Sequence, residues 1–304
     1  MKITHAIITG SSGFIGRALV NELKRRGVAV TPVDIKPIDE NDTETVKIDV
    51  SMPGSLDKHI EKDTVIFHMA AKASVSNSVD NPKEDFNSTL YGLFQVLETA
   101  RKYNSRVIFP STASVFDVDN KLPVSEKSYV KPSSPYGAAK VAGEAYCFAY
   151  HRCYGIDVRI ARMFSVYGMG MDRFAIFDFI RKIHDDNKEL ILLGDGEQIR
   201  DYLYIDDAIN GLIMIATEGS PGEDYNLASG QQVVLYDLAE KIAFMMGFKN
   251  IKITVTGVSS PGDVPRWYAN INKIKNLGFK ANISLDSGLK KTINWMGGDY
   301  EYDD

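Results

Sequence analysis

One short segment near the amino terminus decides the fold: Thr9-Gly10-Ser11-Ser12-Gly13-Phe14-Ile15-Gly16. It follows an apolar, β-branched run at 4–9 and opens an amphipathic stretch at 14–26 that ends at Gly27. This pattern predicts a strand, a glycine turn and a helix with a glycine C-cap. A lone triplet of glycines at intervals of three residues is modest support, so its position between strand and helix matters.

At that position each glycine has a specific use. Gly10 permits a tight turn, Gly13 lets the backbone approach a pyrophosphate, and Gly16 lets the helix pack close to the strand. The helix start offers free N–H groups, including those of Phe14 and Ile15, and the positive end of the helix dipole. The segment therefore predicts a dinucleotide-binding loop, and the alternative is an ordinary glycine turn.

Two acidic residues mark the ends of the next predicted strands. Asp34 lies about 20 residues beyond the loop, where a carboxylate accepts from ribose hydroxyls and repels a 2′-phosphate. We therefore expect NAD rather than NADP as the cofactor. Asp49 and Val50 end the third strand, where a side chain can reach an adenine amino group, although a simple strand-end turn explains them equally well.

The remaining pattern predicts two regions. Residues 1–169 alternate short apolar runs with helical stretches, which is typical of an α/β fold with a Rossmann-type, doubly wound parallel sheet. Residues 170–304 predict a smaller mixed α/β lobe that binds substrate, with short segments crossing back to the first domain. The predicted strands are 4–9, 28–33, 45–48, 64–69, 106–110 and 157–162, then 190–193, 225–228 and 251–255. The predicted helices are 14–26, 82–103 and 134–154, then 174–186, 206–217, 236–246 and 284–295.

Composition excludes several classes of protein. The chain has 304 residues, a net charge of −5 and no basic block beyond 24–26, so we expect no nucleic-acid partner. No apolar run approaches the ~18 residues that span a bilayer, and the start has no secretory pattern. Cys147 and Cys153 fit no zinc or redox spacing, so we expect reduced thiols, no metal and a cytoplasmic protein.

A tyrosine and a lysine lie one helical turn apart in Tyr136-Gly137-Ala138-Ala139-Lys140. Such a pair is expected by chance in a chain with 15 tyrosines, and an exposed contact is the alternative. This pair, however, follows a helix-start signal, Ser133-Ser134-Pro135, and a strand that ends in Pro110-Ser111-Thr112. Ligands of open sheets bind at that carboxyl edge, so we expect both side chains in the active site.

The pair suits the oxidation of an alcohol to a ketone. A free tyrosine has a pKa near 10, and an adjacent ammonium and a positive nicotinamide ring both favour its phenolate form. Tyr136 would then be the general base, and Lys140 would also bind the nicotinamide ribose. The Thr112 hydroxyl would hold the substrate oxygen. A protein that only bound dinucleotide would need none of these three catalytic residues.

The chain resembles the extended short-chain dehydrogenase/reductases of the NAD-dependent sugar epimerase/dehydratase family. The resemblance runs from Gly10 to about Trp295. Beyond the glycine loop and the Tyr136/Lys140 pair, it rests on His68-Met69-Ala70-Ala71, Asn87, 111–116, 162–168, Gly194-Asp195-Gly196, Arg200-Asp201-Tyr202 and Pro261-Gly262-Asp263. It implies a nucleotide-diphosphate sugar as substrate and an isomerase of carbohydrate metabolism.

The resemblance also implies roles for further residues. Ala70 and Ala71 would line the cofactor, and Asn87 and Met163 would approach it. Arg200 would bind the substrate diphosphate through its guanidinium fork; a surface ion pair with Asp201 or Asp206 is the alternative.

Departures from the family pattern bear on the substrate side. Ser165 stands where the family usually has Asn, and would bind the diphosphate region through water. Ser260 stands where the family often has Arg, and Arg266 would replace that charge. Trp267 would restrict the space beside sugar C2 and disfavour an N-acetyl group, unless it simply packs between the lobes. We therefore expect substrates of the UDP-glucose/galactose or UDP-uronic acid type.

Two positions after Thr112 narrow the reaction. Family 4,6-dehydratases carry Asp-Glu there, where this chain has Ala113 and Ser114. Decarboxylases carry Glu, and 3,5-epimerases carry Cys, at the position of Ser114. The resemblance therefore implies an NAD-dependent 4-epimerase that oxidises C4 transiently, and the alternative is a 4-keto-sugar reductase. Dehydratase and decarboxylase activities are disfavoured.

Family members commonly dimerise through two long helices, which here are 82–103 and 134–154. Aromatic residues on them would form the interface of a homodimer. The candidates are Tyr91, Phe94, Phe148 and Tyr150. They could equally face their own sheet.

Overall fold

The computed structural model describes residues 2–39, 41–186, 188–248 and 251–297. Its strands in these residues are β1 (His5–Thr9), β2 (Ala29–Asp34), β3 (Val46–Lys47), β4 (Val65–His68), β5 (Arg106–Thr112), β6 (Val158–Met163), β7 (Ser165–Tyr167), β8 (Glu189–Leu192), β9 (Ile199–Arg200), β10 (Tyr202–Tyr204), β11 (Asp224–Leu227), β12 (Val233–Val234) and β13 (Lys252–Val255). Its α-helices are α1 (Phe14–Arg25), α2 (Val75–Asp80), α3 (Pro82–Phe86), α4 (Gly92–Tyr103), α5 (Pro135–Tyr154), α6 (Ala175–Asp185), α7 (Ile205–Glu218), α8 (Leu235–Met245), α9 (Asn272–Lys275) and α10 (Leu285–Trp295).

The main sheet is parallel and has the strand order β11-β6-β5-β4-β1-β2-β3. The chain runs outward from β1 to β3 on one side and from β4 to β11 on the other. Loops after β1 and β4 therefore diverge and leave a crevice at the carboxyl ends of these strands. The predicted Rossmann-type α/β fold is confirmed.

Alternation along each strand divides the core between two faces of the sheet. Ile7 belongs to the apolar cluster with Leu93 and Leu97 of α4, whereas Ile8 belongs to the cluster with Leu19 of α1 and Leu212 of α7. Both faces are thus covered by helices, which explains why the strands are apolar at nearly every position.

Two segments from the second half of the chain return to the first region. β11 comes from the second half of the chain and pairs with β6 at the edge of the main sheet. α7 also returns and packs against α1. A parallel edge strand without a partner would leave its N–H and C=O groups unpaired, and β11 supplies that partner.

The rest of the second half forms small strand pairs. β8 pairs with β13 in parallel, β7 with β10 in parallel, and β9 with β12 antiparallel. The second and third of these pairs were not predicted, because strands of two or three residues carry no readable periodicity. No helix in the described residues is long and apolar enough to cross a membrane. Residues 298–304, the end of the predicted second lobe, lie outside the described residues.

Candidate active site

The glycine loop has the geometry that its sequence predicts. Gly10 has a φ of 69°, and a Cβ there would lie 2.7 Å from the Ala70 nitrogen. A Cβ on Gly16 would lie 2.1 Å from the Gly10 carbonyl oxygen, so the helix packs directly on the turn. Gly13 is the N-cap of α1 and has no side chain to cap it, which leaves the first helical N–H groups available. The loop fits a pyrophosphate at the start of α1, where Phe14 and Ile15 lie.

Asp34 holds the loop from the end of β2. Its carboxylate oxygens accept from the Ser12 N–H at 3.0 Å and from the Lys36 N–H at 3.2 Å. The carboxylate therefore lies at the same edge of the sheet as the loop, and its contact with a cofactor ribose stays a prediction.

Asp49 and Val50 have local roles in the structure. The Asp49 carboxylate accepts from both the N–H and the hydroxyl of Ser51, at 2.9 and 2.7 Å, and forms a tight turn after β3. Val50 is buried and packs against the core. The strand-end turn that the sequence left open is thus present, and contact with adenine stays a prediction.

The end of β4 lines the other side of the crevice. The Ala70 N–H donates to the Thr9 hydroxyl at 3.2 Å, and that hydroxyl also contacts Nδ1 of His68 at 3.0 Å. Burial lowers the pKa of His68 to about 3, so this imidazole is neutral. The hydrogen bonds of the Thr9 hydroxyl with Ala70 and His68 thus place Ala70 and the following Ala71 beside the glycine loop. Sequence reasoning did not assign His68 and Thr9 this function.

Thr112 and Tyr136 meet across the crevice. Thr112 ends β5, and its hydroxyl hydrogen-bonds with the Tyr136 phenol and donates to the Ser114 hydroxyl at 3.3 Å. Tyr136 lies in the first turn of α5, which approaches the chain closely because Gly137 has no side chain. A Cβ on Gly137 would lie 2.5 Å from the Ser114 carbonyl oxygen. Tyr136 is further fixed by its N–H, which donates to the Ser78 hydroxyl at 3.1 Å.

Lys140 completes the group one turn along α5. Its Nζ donates to the Pro110 carbonyl at 2.7 Å and lies 5.9 Å from the centre of the Tyr136 ring. Burial lowers the pKa of Lys140 to about 8, against the opposing charge of Asp85. Lys140 is therefore an ammonium ion at neutral pH.

Burial also acts on the tyrosine, in the direction that hinders catalysis. It raises the pKa of Tyr136 to about 12, and the hydrogen bond with Thr112 only partly opposes this effect. We expected the lysine charge to favour the phenolate, yet desolvation of Tyr136 is the larger influence here. The positive charge of an oxidised nicotinamide ring would act in the favourable direction.

The structure does not bring Asn87 to this group. It lies in the π-helical turn Asn87–Tyr91, on the exposed side, whereas Asp85 and Thr89 are buried against α5. Helical residues two positions apart point to opposite sides, so Asn87 and the buried pair face different surroundings. The approach of Asn87 to the cofactor stays a prediction.

Arg200 lies on β9, and its side chain pairs with Asp263 rather than with Asp201 or Asp206, the partners in the alternative to its predicted binding of the diphosphate. Its guanidinium donates to Asp263 at 2.7 Å and lies 4.5 Å from the centre of the Trp267 ring. Asp201 instead accepts from backbone N–H groups of the 229–230 turn and Ala269, and is fully buried. The sequence singled out the motif that contains Asp263, without assigning this ion pair.

Met163, predicted to approach the cofactor, pairs with Thr112 between β5 and β6. Of the other predicted substrate residues, Ser165 pairs with Tyr202 between β7 and β10. Arg266 is exposed, and its backbone bridges to that of Ile199, next to Arg200. Trp267 is half-buried between Arg200 and the core.

A further cation near the tyrosine was not predicted. Arg173, in the loop between β7 and α6, has a charge that favours the Tyr136 phenolate. Nothing in the sequence around residue 173 signals this proximity. Among the described residues, no group of three or more His, Cys, Asp or Glu side chains is placed to hold a metal.

Comparisons with known proteins identify the family of this chain. The model of the NAD dependent epimerase/dehydratase family matches residues 6–228. A UDP-glucuronate 4-epimerase of Thermodesulfobacterium geofontis is 30% identical, over 95% of this chain and 95% of its own.

Two solved structures superpose over almost the whole chain. One is a UDP-N-acetylglucosamine 4-epimerase from Methanobrevibacter ruminantium, in complex with UDP-N-acetylmuramic acid. It has a TM-score of 0.88 at 27% identity and covers 97% of this chain and 99% of its own. The other is MoeE5 in complex with UDP-glucuronic acid and NAD, with a TM-score of 0.87, 27% identity and coverage of 96% and 98%. The chain belongs to the NAD-dependent epimerase/dehydratase family of extended short-chain dehydrogenase/reductases.

Proposed function

We propose that this protein is an NAD-dependent nucleotide-sugar 4-epimerase acting on UDP-glucose/galactose or a UDP-uronic acid. The observation that carries the proposal is the group formed by Thr112, Tyr136 and Lys140 beside the glycine loop. Ala113 and Ser114 follow it and supply neither the acid and base of a dehydratase nor the thiol of a 3,5-epimerase. What remains is chemistry that needs only oxidation and reduction at one carbon.

Each of the three side chains has a step that suits its position. The Thr112 hydroxyl holds the C4 oxygen of the sugar, and the Tyr136 phenolate oxygen takes the proton of that hydroxyl. The Lys140 ammonium stabilises the phenolate and binds the ribose. NAD, when bound, supplies a site that accepts the hydride from C4 and returns it. The same tyrosine gives the proton back after the keto-sugar has turned its other face.

The substrate side of the proposal rests on the cluster around Arg200. Arg200 and Arg266 are cations near the second lobe's end of the crevice and suit a diphosphate. Trp267 stacks on Arg200 and would occupy space beside the sugar, which favours a C2 hydroxyl over an N-acetyl group. The Arg200 guanidinium must then contact both Asp263 and the substrate diphosphate.

The test is direct incubation of the purified protein with UDP-glucose, UDP-glucuronate and UDP-N-acetylglucosamine. We expect the C4 epimer of one of the first two, without net consumption of NADH. Stoichiometric oxidation of NADH with a 4-keto-sugar would instead identify the reductase alternative. If no UDP-, GDP- or dTDP-sugar gave an epimer, with or without added NAD, the proposal would fail.

Asp34 should control the choice of dinucleotide. Replacing Asp34 by serine removes a charge that repels the 2′-phosphate and a strong acceptor for the ribose. A hydrogen bond to a charged group contributes about 1.5–3 kcal/mol, so the preference for NAD over NADP should fall about tenfold or more. Dissociation constants for both nucleotides measure the ratio, with exposed Asp39→Ser as the control. An unchanged ratio in Asp34→Ser would contradict this role.

We also propose a homodimer through α4 and α5. Tyr91 and Phe94 stack at 6.2 Å, and Tyr146 meets the Phe94 ring edge-on at 6.1 Å, which leaves a partly exposed aromatic patch. Tyr150 is not part of it, because it is buried and donates to Glu98 within its own chain at 2.6 Å. Phe148 is also half-buried against the core.

Sedimentation velocity at micromolar concentration should show a dimer. Tyr146→Asp should shift it towards a monomer, because a charge in the patch would have to be desolvated on association. Tyr129→Asp, at an exposed loop position, is the control. A wild-type monomer under these conditions would argue against the interface.

A further inference from the structure

Asp85 is a buried carboxylate near the catalytic group for which the steps above give no role. It is 1% exposed, and its Oδ2 is buried without a hydrogen-bond partner in the described part of the chain. Its Oδ1 lies 3.5 Å from the Thr89 hydroxyl, at the limit of a hydrogen bond. A buried polar group without a hydrogen-bond partner is costly, and more so when it is charged, so this carboxylate calls for an explanation.

The local helix geometry turns this carboxylate towards α5. Asp85 precedes the π-helical turn, and both α3 and that turn pack on α5. π-helical turns occur frequently at functional sites, because the wider turn re-aims side chains. The charge of Asp85 acts on both Lys140 and Tyr136.

The other ionisable groups around Lys140 are already compensated or uncharged. Glu144 is paired with Arg162 and accepts from Ser111. Burial raises the pKa of Cys147 and lowers that of His68, so both are neutral. Arg173 is exposed and forms an ion pair with Asp172 at 3.9 Å. Among these neighbours, Asp85 is the anion that lacks a cation of its own.

We propose that Asp85 is a positioning residue that holds the buried Lys140 amine in its ammonium form and so sets the upper pH limit of the Tyr136–Lys140 pair. An opposite charge nearby favours the charged form of a group. Without Asp85, burial would act on Lys140 with only the charge of Glu144, itself paired with Arg162, opposing it, and the amine would lose its proton at lower pH. The consequence for turnover rests on the proposed function, whereas the ionisation of Lys140 does not.

The test compares Asp85→Asn with Thr89→Val. The first removes the charge and keeps the shape; the second removes the Thr89 hydroxyl and keeps the charge. Trace acetylation with acetic anhydride at a series of pH values, read by mass spectrometry of the Lys140 peptide, follows the amine in protein free of nucleotide. We expect the midpoint to move down by about one pH unit or more in Asp85→Asn and to stay in place in Thr89→Val. In Asp85→Asn the alkaline limb of the profile of turnover against pH should also move to lower pH.

Each possible result decides the proposal. An unmoved midpoint in Asp85→Asn, or an equal shift in Thr89→Val, would overturn it. Asp85→Ser, which leaves room for water, repeats the measurement if Asp85→Asn does not fold, and misfolding of both would show a structural role instead. If the wild type turned over no nucleotide sugar, the proposed function would fail while the labelling midpoint still tested Asp85.

Discussion

Replacing Tyr136 by phenylalanine should nearly abolish epimerisation and leave NAD binding almost intact. The substitution removes one oxygen, the atom that takes the substrate proton, and keeps the ring that packs in the first turn of α5. General acid–base catalysis contributes typically 10²–10⁴-fold, so turnover should fall by about that factor. Lys140 and the glycine loop are untouched, so the dissociation constant for NAD should change by less than about threefold.

The matched control is Tyr129→Phe, which makes the same change at an exposed loop position. It should turn over at the wild-type rate. Initial rates measured by chromatography of the sugar nucleotides, with titration calorimetry for NAD, separate chemistry from binding. Turnover in Tyr136→Phe within a few-fold of the wild type would show that another group accepts the proton. Loss of NAD binding would indicate a disturbed site rather than a missing base.

The elements that could be predicted from the sequence are those with strong periodicity. The strands of the main sheet are apolar on both faces, and helices such as α1 and α5 carry caps at their ends. β7, β9, β10 and β12 escaped prediction because each has only two or three residues. The path of β11 back to the main sheet was anticipated only in general, since edge pairing depends on the whole tertiary arrangement.

The candidate site also contains residues that could be placed from the sequence and contacts that could not. Thr112, Tyr136 and Lys140 could be placed together because each follows a strand end or a helix start whose location the fold dictates. The exposure of Asn87 could not be predicted, because a motif position alone does not specify which helix face meets the sheet. The Arg200–Asp263 pair joins residues distant in sequence, and the interaction of Arg173 with Tyr136 depends on a loop. No local signal encodes such contacts.

The second large effect should come from Arg162, which lies directly behind the catalytic group. Its guanidinium contacts Glu144 at 2.7 Å and Asp224 at 2.8 Å, and Ser111 donates to Glu144 at 2.5 Å. Glu144 follows Lys140 by one turn of α5, and Ser111 precedes Thr112. This network therefore fixes β5, β6, β11 and α5 relative to one another, and with them the catalytic side chains.

Arg162→Leu should destabilise the protein by about 3–5 kcal/mol, because it leaves the Glu144 carboxylate buried without a counter-charge. Urea unfolding midpoints measure the effect. Arg181→Leu, which breaks an exposed ion pair, should change stability by less than about 1 kcal/mol.

A second variant separates the loss of charge balance from the loss of packing. Arg162→Leu combined with Glu144→Gln contains no unpaired carboxylate at that position, so it should be more stable than Arg162→Leu alone. Turnover should remain reduced in both, because the hydrogen bonds from Arg162 to Glu144 that align α5 with β6 are lost. If the double variant were no more stable than the single one, the buried charge would not be the source of the deficit, and Arg162 would act mainly by filling space against the Phe116 ring, 5.2 Å from its guanidinium.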